Sequence, residues 1–233
     1  MKKIHNFKNK PLALIYITVI LTFALSSTQG TPPQVVDVFA MPAAGSVIII
    51  DAGHGDWDPG KVATDDILEK DINLAIALKL QRYLEQGGSY VLLTRADDTA
   101  LGDTKRTDMF GRTAIVNDSH GDLLISIHQN SFPDSRASGP QVFYYGDSEQ
   151  SKRLAESVQT QMSTMLDARR REAKANENYF MLKKTKIPAI IVECGFLSNP
   201  NDRALLITEA HQQRVAWAIY VGVVNFLNDI ESN

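Results

Sequence analysis

Val47-Ile48-Ile49-Ile50-Asp51-Ala52-Gly53-His54-Gly55 opens on four consecutive large apolar residues and ends on a histidine between two glycines. A strand with one wet face alternates apolar and polar residues, whereas an unbroken apolar run suits a strand buried on both faces. Leu123–His128 and Ala189–Cys194 (AIIVEC) read the same way, and Tyr90–Thr94 and Gln141–Tyr145 add two shorter strands. Between them lie helical stripes. Ile72, Ile76, Leu80 and Leu84 recur every four residues and stop before Gly87-Gly88. Met109–Asn117 reads as a helix, as do the stretches striped by Leu154, Val158, Met162 and Met165 and by Val215, Ile219, Val223 and Phe226. Asn199-Pro200 has the form of an N-cap followed by proline at the first helical position. Strands alternating with helices predict an α/β fold: a single three-layer domain with a mostly parallel central sheet flanked by helices on both faces.

Upstream of this body the chain changes character. Lys2, Lys3, Lys8 and Lys10 precede the uncharged run Leu12–Leu25 (LALIYITVILTFAL), a basic region followed by an apolar one. Residues 1–26 are therefore expected to be a signal peptide or an N-terminal membrane anchor, with Ala24-Leu25-Ser26 as a small-x-small cleavage site. Residues 27–45, with Pro32, Pro33, Pro42, Gly30 and Gly45, read as a linker, leaving 46–230 as the folded domain. The export signal places that domain on the outer side of the cytoplasmic membrane, touching membrane only through its N-terminal segment. The overall charge of −3 conceals this division: without the four leading lysines, 20 basic residues face 27 acidic ones. Such a balance lacks the basic footprint of a nucleic-acid binder. The single cysteine, Cys194, excludes an internal disulfide framework. It reads as a small buried hydrophobe, since no Cys-His-Asn order surrounds it.

In open α/β sheets ligands bind at the carboxyl ends of the strands. His54 and His128 both stand at such ends, Glu193 interrupts the apolar strand before Cys194, and Glu69 opens the first helix. Two imidazoles and a carboxylate suit zinc, and three protein ligands leave a position open for chemistry. A second carboxylate could take a proton from water and deliver it to a leaving nitrogen. Taken singly each residue has a plainer reading. A strand-end histidine is usually a hydrogen-bonded structural residue, and a glutamate opening a helix already favours the helix dipole. Glu193 is the hardest to read plainly, because an unpaired buried carboxylate is costly. Asp51 and Asn130 are expected to hydrogen-bond the histidines from behind. His120 and His211 are expected to be solvated, and Arg169-Arg170-Arg171 with Lys174 to form a solvated connector or a contact with an anionic wall.

Six segments together resemble the zinc-dependent N-acetylmuramoyl-L-alanine amidases of the type 3 family. They are IIIDAGHGDWDPG, LEKDINL, LLTR at Thr94-Arg95, RTAIVN around Arg112 and Asn117, SIHQNS and PAIIVECGFLSNPND, covering roughly Val47 to Phe226. The resemblance implies that His54, Glu69 and His128 hold one Zn²⁺ per chain and that Glu193 is the catalytic glutamate. The implied reaction is hydrolysis of the amide between N-acetylmuramic acid and L-alanine in peptidoglycan. Zinc-activated water attacks the lactyl carbonyl, Glu193 serves as general base, and Glu193 then protonates the departing amine. Asp56-Trp57 departs from the family loop, where a second glycine often follows; an added carboxylate there could alter substrate fit.

SGPQVFYYG (Ser138–Gly146) and YFMLKKTKIP (Tyr179–Pro188) look like the sporulation amidases, which strip stem peptides from spore cortex so that muramic-δ-lactam can form. That implies action in the intermembrane space of the forespore. Only 65 residues separate His128 from Glu193, which leaves little room for the inhibitory helix that some relatives carry. Control would then come from expression, location or an accessory protein. The competing readings are a vegetative cell-wall amidase, a zinc peptidase cutting within the stem peptide, and a wall-binding protein without catalysis.

Overall fold

The computed structural model describes residues 43–231. The targeting segment expected at 1–26, and all but the last three residues of the linker, lie outside the described residues. Among the described residues no helix is long and apolar enough to cross a membrane.

Six strands form one sheet: β1 (Val47–Ala52), β2 (Tyr90–Leu93), β3 (Leu123–Asn130), β4 (Gln141–Tyr144), β5 (Lys174–Ala175) and β6 (Ala189–Phe196), in the order β2-β1-β3-β6-β4-β5. β2, β1, β3 and β6 are parallel, β4 runs antiparallel to β6, and β5 is parallel to β4. This is the expected mostly parallel sheet, extended by a two-residue strand that the sequence does not announce. The helices are α1 (Glu69–Gln86), α2 (Lys105–Asp118), α3 (Glu149–Met165), α4 (Phe180–Lys184), α5 (Pro200–Leu206) and α6 (Glu209–Glu231).

Alternation along the strands sorts their side chains between two layers. Ile48, Ile50, Ile125, Ile127, Ile190 and Val192 join the larger core, with Ile76, Leu80 and Leu84 of α1, Leu154 and Val158 of α3 and Ile219 and Val223 of α6. Ile49, Leu124, Ala189 and Ile191 face the other way, against Val116 of α2 and Met181 and Leu182 of α4. Each fully buried Ile or Leu contributes about 1.5–3 kcal/mol, so both faces of the apolar runs are used. The same alternation fixes where the polar residues point. Asp51 follows Ile49, Ser126 and His128 follow Leu124, and Glu193 follows Ile191, so all four share the face covered by α2 and α4.

Caps set the helix bounds. α2 starts at Lys105, four residues before the expected Met109, because Thr104 and Thr107 each accept the other's backbone N–H. α5 starts where expected: Asn199 Oδ1 accepts from the N–H groups of Asn201 and Asp202, with Pro200 in the first turn.

Candidate active site

The parallel register brings the strand ends together. Ala52 pairs with Ile127, and His128 pairs with Glu193. Past β1 the chain turns at His54 and Asp56, both with positive φ, 64° and 50°. A non-glycine residue there is strained and persists only if held. Two guanidinium groups hold it. Arg95 donates to the carbonyls of Ala52 and Gly53, and Arg112 to those of Ala52 and His54. Arg112 is 1% exposed and also bonds Asp51 Oδ1 at 2.8 Å and Asp108 Oδ2 at 2.6 Å.

His54, Glu69 and His128 meet at the mouth of this turn, with one potential ligand atom from each and all of these atoms within 4.8 Å of one another. His54 Nε2 is 3.3 Å from Glu69 Oε1, and His128 Nδ1 is 3.0 Å from the same oxygen. His54 Nδ1 lies 2.8 Å from Asp58 Oδ2. A carboxylate only accepts, so Asp58 favours the tautomer with the proton on Nδ1, which turns the lone pair of Nε2 towards a cation held by the cluster. Glu69 is fixed from several sides: Oε2 accepts from Lys61 N, and Oε1 from Gln129 N and Asn73 Nδ2. Space is reserved by two glycines. A Cβ on Gly53 would lie 2.2 Å from His128 Cε1, and one on Gly60 2.6 Å from Glu69 Oε2.

The donor set fits a divalent cation. A tetrahedral ion with bonds of about 2.0–2.1 Å separates its ligand atoms by about 3.4 Å, close to the spacings above. Electrostatics agree. Burial raises the pKa of Glu69, but the two imidazoles more than offset it and keep the carboxyl ionised well below the usual range. Burial lowers His128, while Glu69, Glu193 and Asp51 raise it to about 8.

Glu193 stands beside this cluster, paired with His128 across β3 and β6, on a cleft of about 660 Å³ whose walls also include Asn130, Tyr179, Phe180, Lys105, Arg106 and Met109. It is 6% exposed; Oε1 accepts from Tyr179 Oη at 3.3 Å, and Oε2 has no partner among the described residues. Burial pushes its pKa up to about 7; His128 and the Tyr179 hydroxyl pull down, and Glu69 pushes up. A carboxyl poised there can both accept and return a proton near neutral pH.

The four residues singled out in the sequence are thus brought together, while several neighbours behave otherwise than expected. Asp51 bonds neither histidine; it is spent on Thr94, Ser126 and Arg112. Asn130 Oδ1 turns to Ser131 N. Asp58, not either of these, supports His54, and its place four residues on, in a Pro-Gly turn, was the available signal. The exposed Asp56 is absent from the cleft wall; its backbone is tied to Asp98 and Lys70. Cys194 is buried, and burial raises its thiol pKa further from reactivity. His211 is half-buried rather than solvated. Arg171 is drawn into the fold, donating to Ser138 O and lying over the Phe196 ring.

A family model described as N-acetylmuramoyl-L-alanine amidase (Amidase_3) matches residues 48–225. This chain belongs to that family. As a member of the amidase family it is a hydrolase of the bond between an N-acetylmuramoyl group and L-alanine. Over 226 residues it is 31% identical to the germination-specific N-acetylmuramoyl-L-alanine amidase of Bacillus subtilis (strain 168), covering 94% of this chain and 93% of that one. It is 34% identical over 184 residues to the probable cell wall amidase LytH of Staphylococcus aureus. That match takes in 78% of this chain but only 58% of LytH. Among solved structures, the CwlD amidase from Clostridioides difficile, in complex with the GerS lipoprotein, has a TM-score of 0.77 at 39% identity and covers 79% of this chain and 99% of its own.

Proposed function

We propose that this amidase holds one zinc ion through His54, Glu69 and His128, and that Glu193 carries the proton in hydrolysis of stem-peptide amides of spore-cortex peptidoglycan. One observation carries the site assignment: three donor atoms converge within 4.8 Å, beside a buried carboxylate oxygen of Glu193 that has no partner among the described residues. When bound, zinc supplies Lewis acidity, polarising a carbonyl and making water easier to deprotonate. Asp58 holds the His54 ring with Nε2 inward. Glu193 Oε2 accepts the proton of the attacking water and passes it to the alanine nitrogen as the amide breaks.

The cortex assignment is supported by the 93% coverage of the germination-specific relative and by the likeness to CwlD. The GerS complex supports an accessory lipoprotein for this chain as well. An extracytoplasmic location follows from a peptidoglycan substrate and agrees with the basic-then-apolar start of the sequence. Mass analysis of spore-cortex muropeptides, with and without the protein, tests the reading. Loss of muramic-δ-lactam on removal of the protein is expected. Unchanged δ-lactam with altered vegetative wall would place the enzyme in general wall turnover instead.

A further inference from the structure

The two oxygens of Glu193 stand in unlike surroundings. Oε1 accepts from Tyr179 Oη at 3.3 Å, while Oε2 is buried without a partner among the described residues. Tyr179 is itself fixed on three sides. Its ring meets Phe143 of β4 edge to face at a centroid distance of 5.4 Å. Its N–H donates to Asn176 Oδ1 at 3.2 Å, as does that of Asn178 at 2.8 Å. Asn176 N in turn donates to Tyr144 O at 2.8 Å, continuing the ladder of β5 on β4. The two-residue strand β5 thus delivers a rigid turn whose aromatic residue reaches the buried carboxylate. A strand of two exposed residues adds little core, so its contribution is placement.

We infer that Tyr179 is a positioning residue: its hydroxyl occupies Oε1 of Glu193, orients the carboxyl group, and leaves Oε2 as the oxygen that exchanges the proton with water and the leaving nitrogen. The inference rests on Glu193 as proton carrier. A carboxyl group free to rotate about its last bond would present either oxygen, and a misdirected lone pair slows proton transfer without weakening substrate binding. Burial and the neighbouring carboxylates raise the tyrosine pKa, so the hydroxyl stays a donor throughout the cycle.

The test is steady-state kinetics on Tyr179→Phe and Glu193→Gln, each with zinc content and melting temperature measured on the same preparation. Tyr179→Phe keeps the ring against Phe143 and removes only the hydroxyl. Its kcat is expected to fall about tenfold, the loss of one hydrogen bond to a charged group, with KM, zinc content and melting temperature unchanged. An unchanged kcat in Tyr179→Phe alongside an inactive Glu193→Gln overturns the role of Tyr179 and leaves Glu193 standing. A rise in KM at constant kcat also overturns it, since the hydroxyl would then contact substrate. Wild-type turnover by Glu193→Gln overturns the reading on which both rest.

Discussion

Asp58 Oδ2 lies 2.8 Å from Nδ1 of His54, four residues earlier across the turn that follows β1. Burial raises the Asp58 pKa, but the bonds from His54 and Gly60 N–H hold it below the ordinary carboxylate value, which favours the charged form beside the imidazole. Asp58→Asn keeps the shape and loses that charge. Zinc affinity is expected to fall about 10–100-fold, as for other groups that support a metal-binding imidazole. Competition with a chromophoric chelator measures it, and an unchanged affinity would show that the turn alone orients His54.

Gly53 is small because His128 is close. Gly53→Ala places a methyl group 2.2 Å from His128 Cε1, so the ring must move. A displacement of about 1 Å at a reacting centre costs about 100-fold in rate. Turnover is expected to fall by that order with near-wild-type circular dichroism; full activity would mean that the ring relocates without consequence.

Arg112 ties Asp51, Asp108 and the His54 carbonyl together in the interior. Arg112→Leu leaves two buried carboxylates without their partner, which costs about 3–5 kcal/mol. Denaturant unfolding of the metal-free protein checks this. Arg112→Lys retains the charge without the forked geometry and is expected to fall in between.

The same cluster gives a pH dependence. Burial raises the pKa of Asp51, but Arg112, Ser126 and Thr94 more than offset it, leaving a value of about 2 against the ordinary 3.8. A value lowered by folding means that the folded state binds this proton less readily. The stability it contributes, on the order of 2 kcal/mol, is present above pH 3.8 and is lost as pH falls towards 2. Asp51→Asn is expected to flatten the acid limb of the stability curve in that window. An unaltered limb would assign acid unfolding to other carboxylates.

How much of this the sequence discloses depends on the range of the signal. The apolar runs at Ile48–Ile50 and Ile190–Val192 and the four-residue stripe of α1 are local periodicities, and both strands and helix appear where those patterns place them. The four residues expected to do the chemistry stand at strand ends and a helix start, so the fold alone brings them together. β5 is opaque because Lys174-Ala175 carries no pattern and exists only through pairing with β4. The left-handed backbone of His54 is opaque too, since its support comes from Arg95 and Arg112, 41 and 58 residues further on. Asp51 misled for the related reason that it shares the face of His128, yet its oxygens are taken by Thr94, Ser126 and Arg112, partners 43 to 75 residues away in sequence. The buried bonds of Tyr179 to Glu193 and of Arg112 to Asp51 are likewise tertiary.

Turnover by zinc-loaded Glu193→Gln, measured as release of intact stem peptides bearing a new L-alanine amine, bears most directly on the account. With one zinc per chain, the content proposed for the wild type, its rate is expected to be lower by about 10²–10⁴-fold, the contribution of a positioned acid–base group. Wild-type release by a zinc-replete Glu193→Gln protein would contradict the assignment of the proton to Glu193.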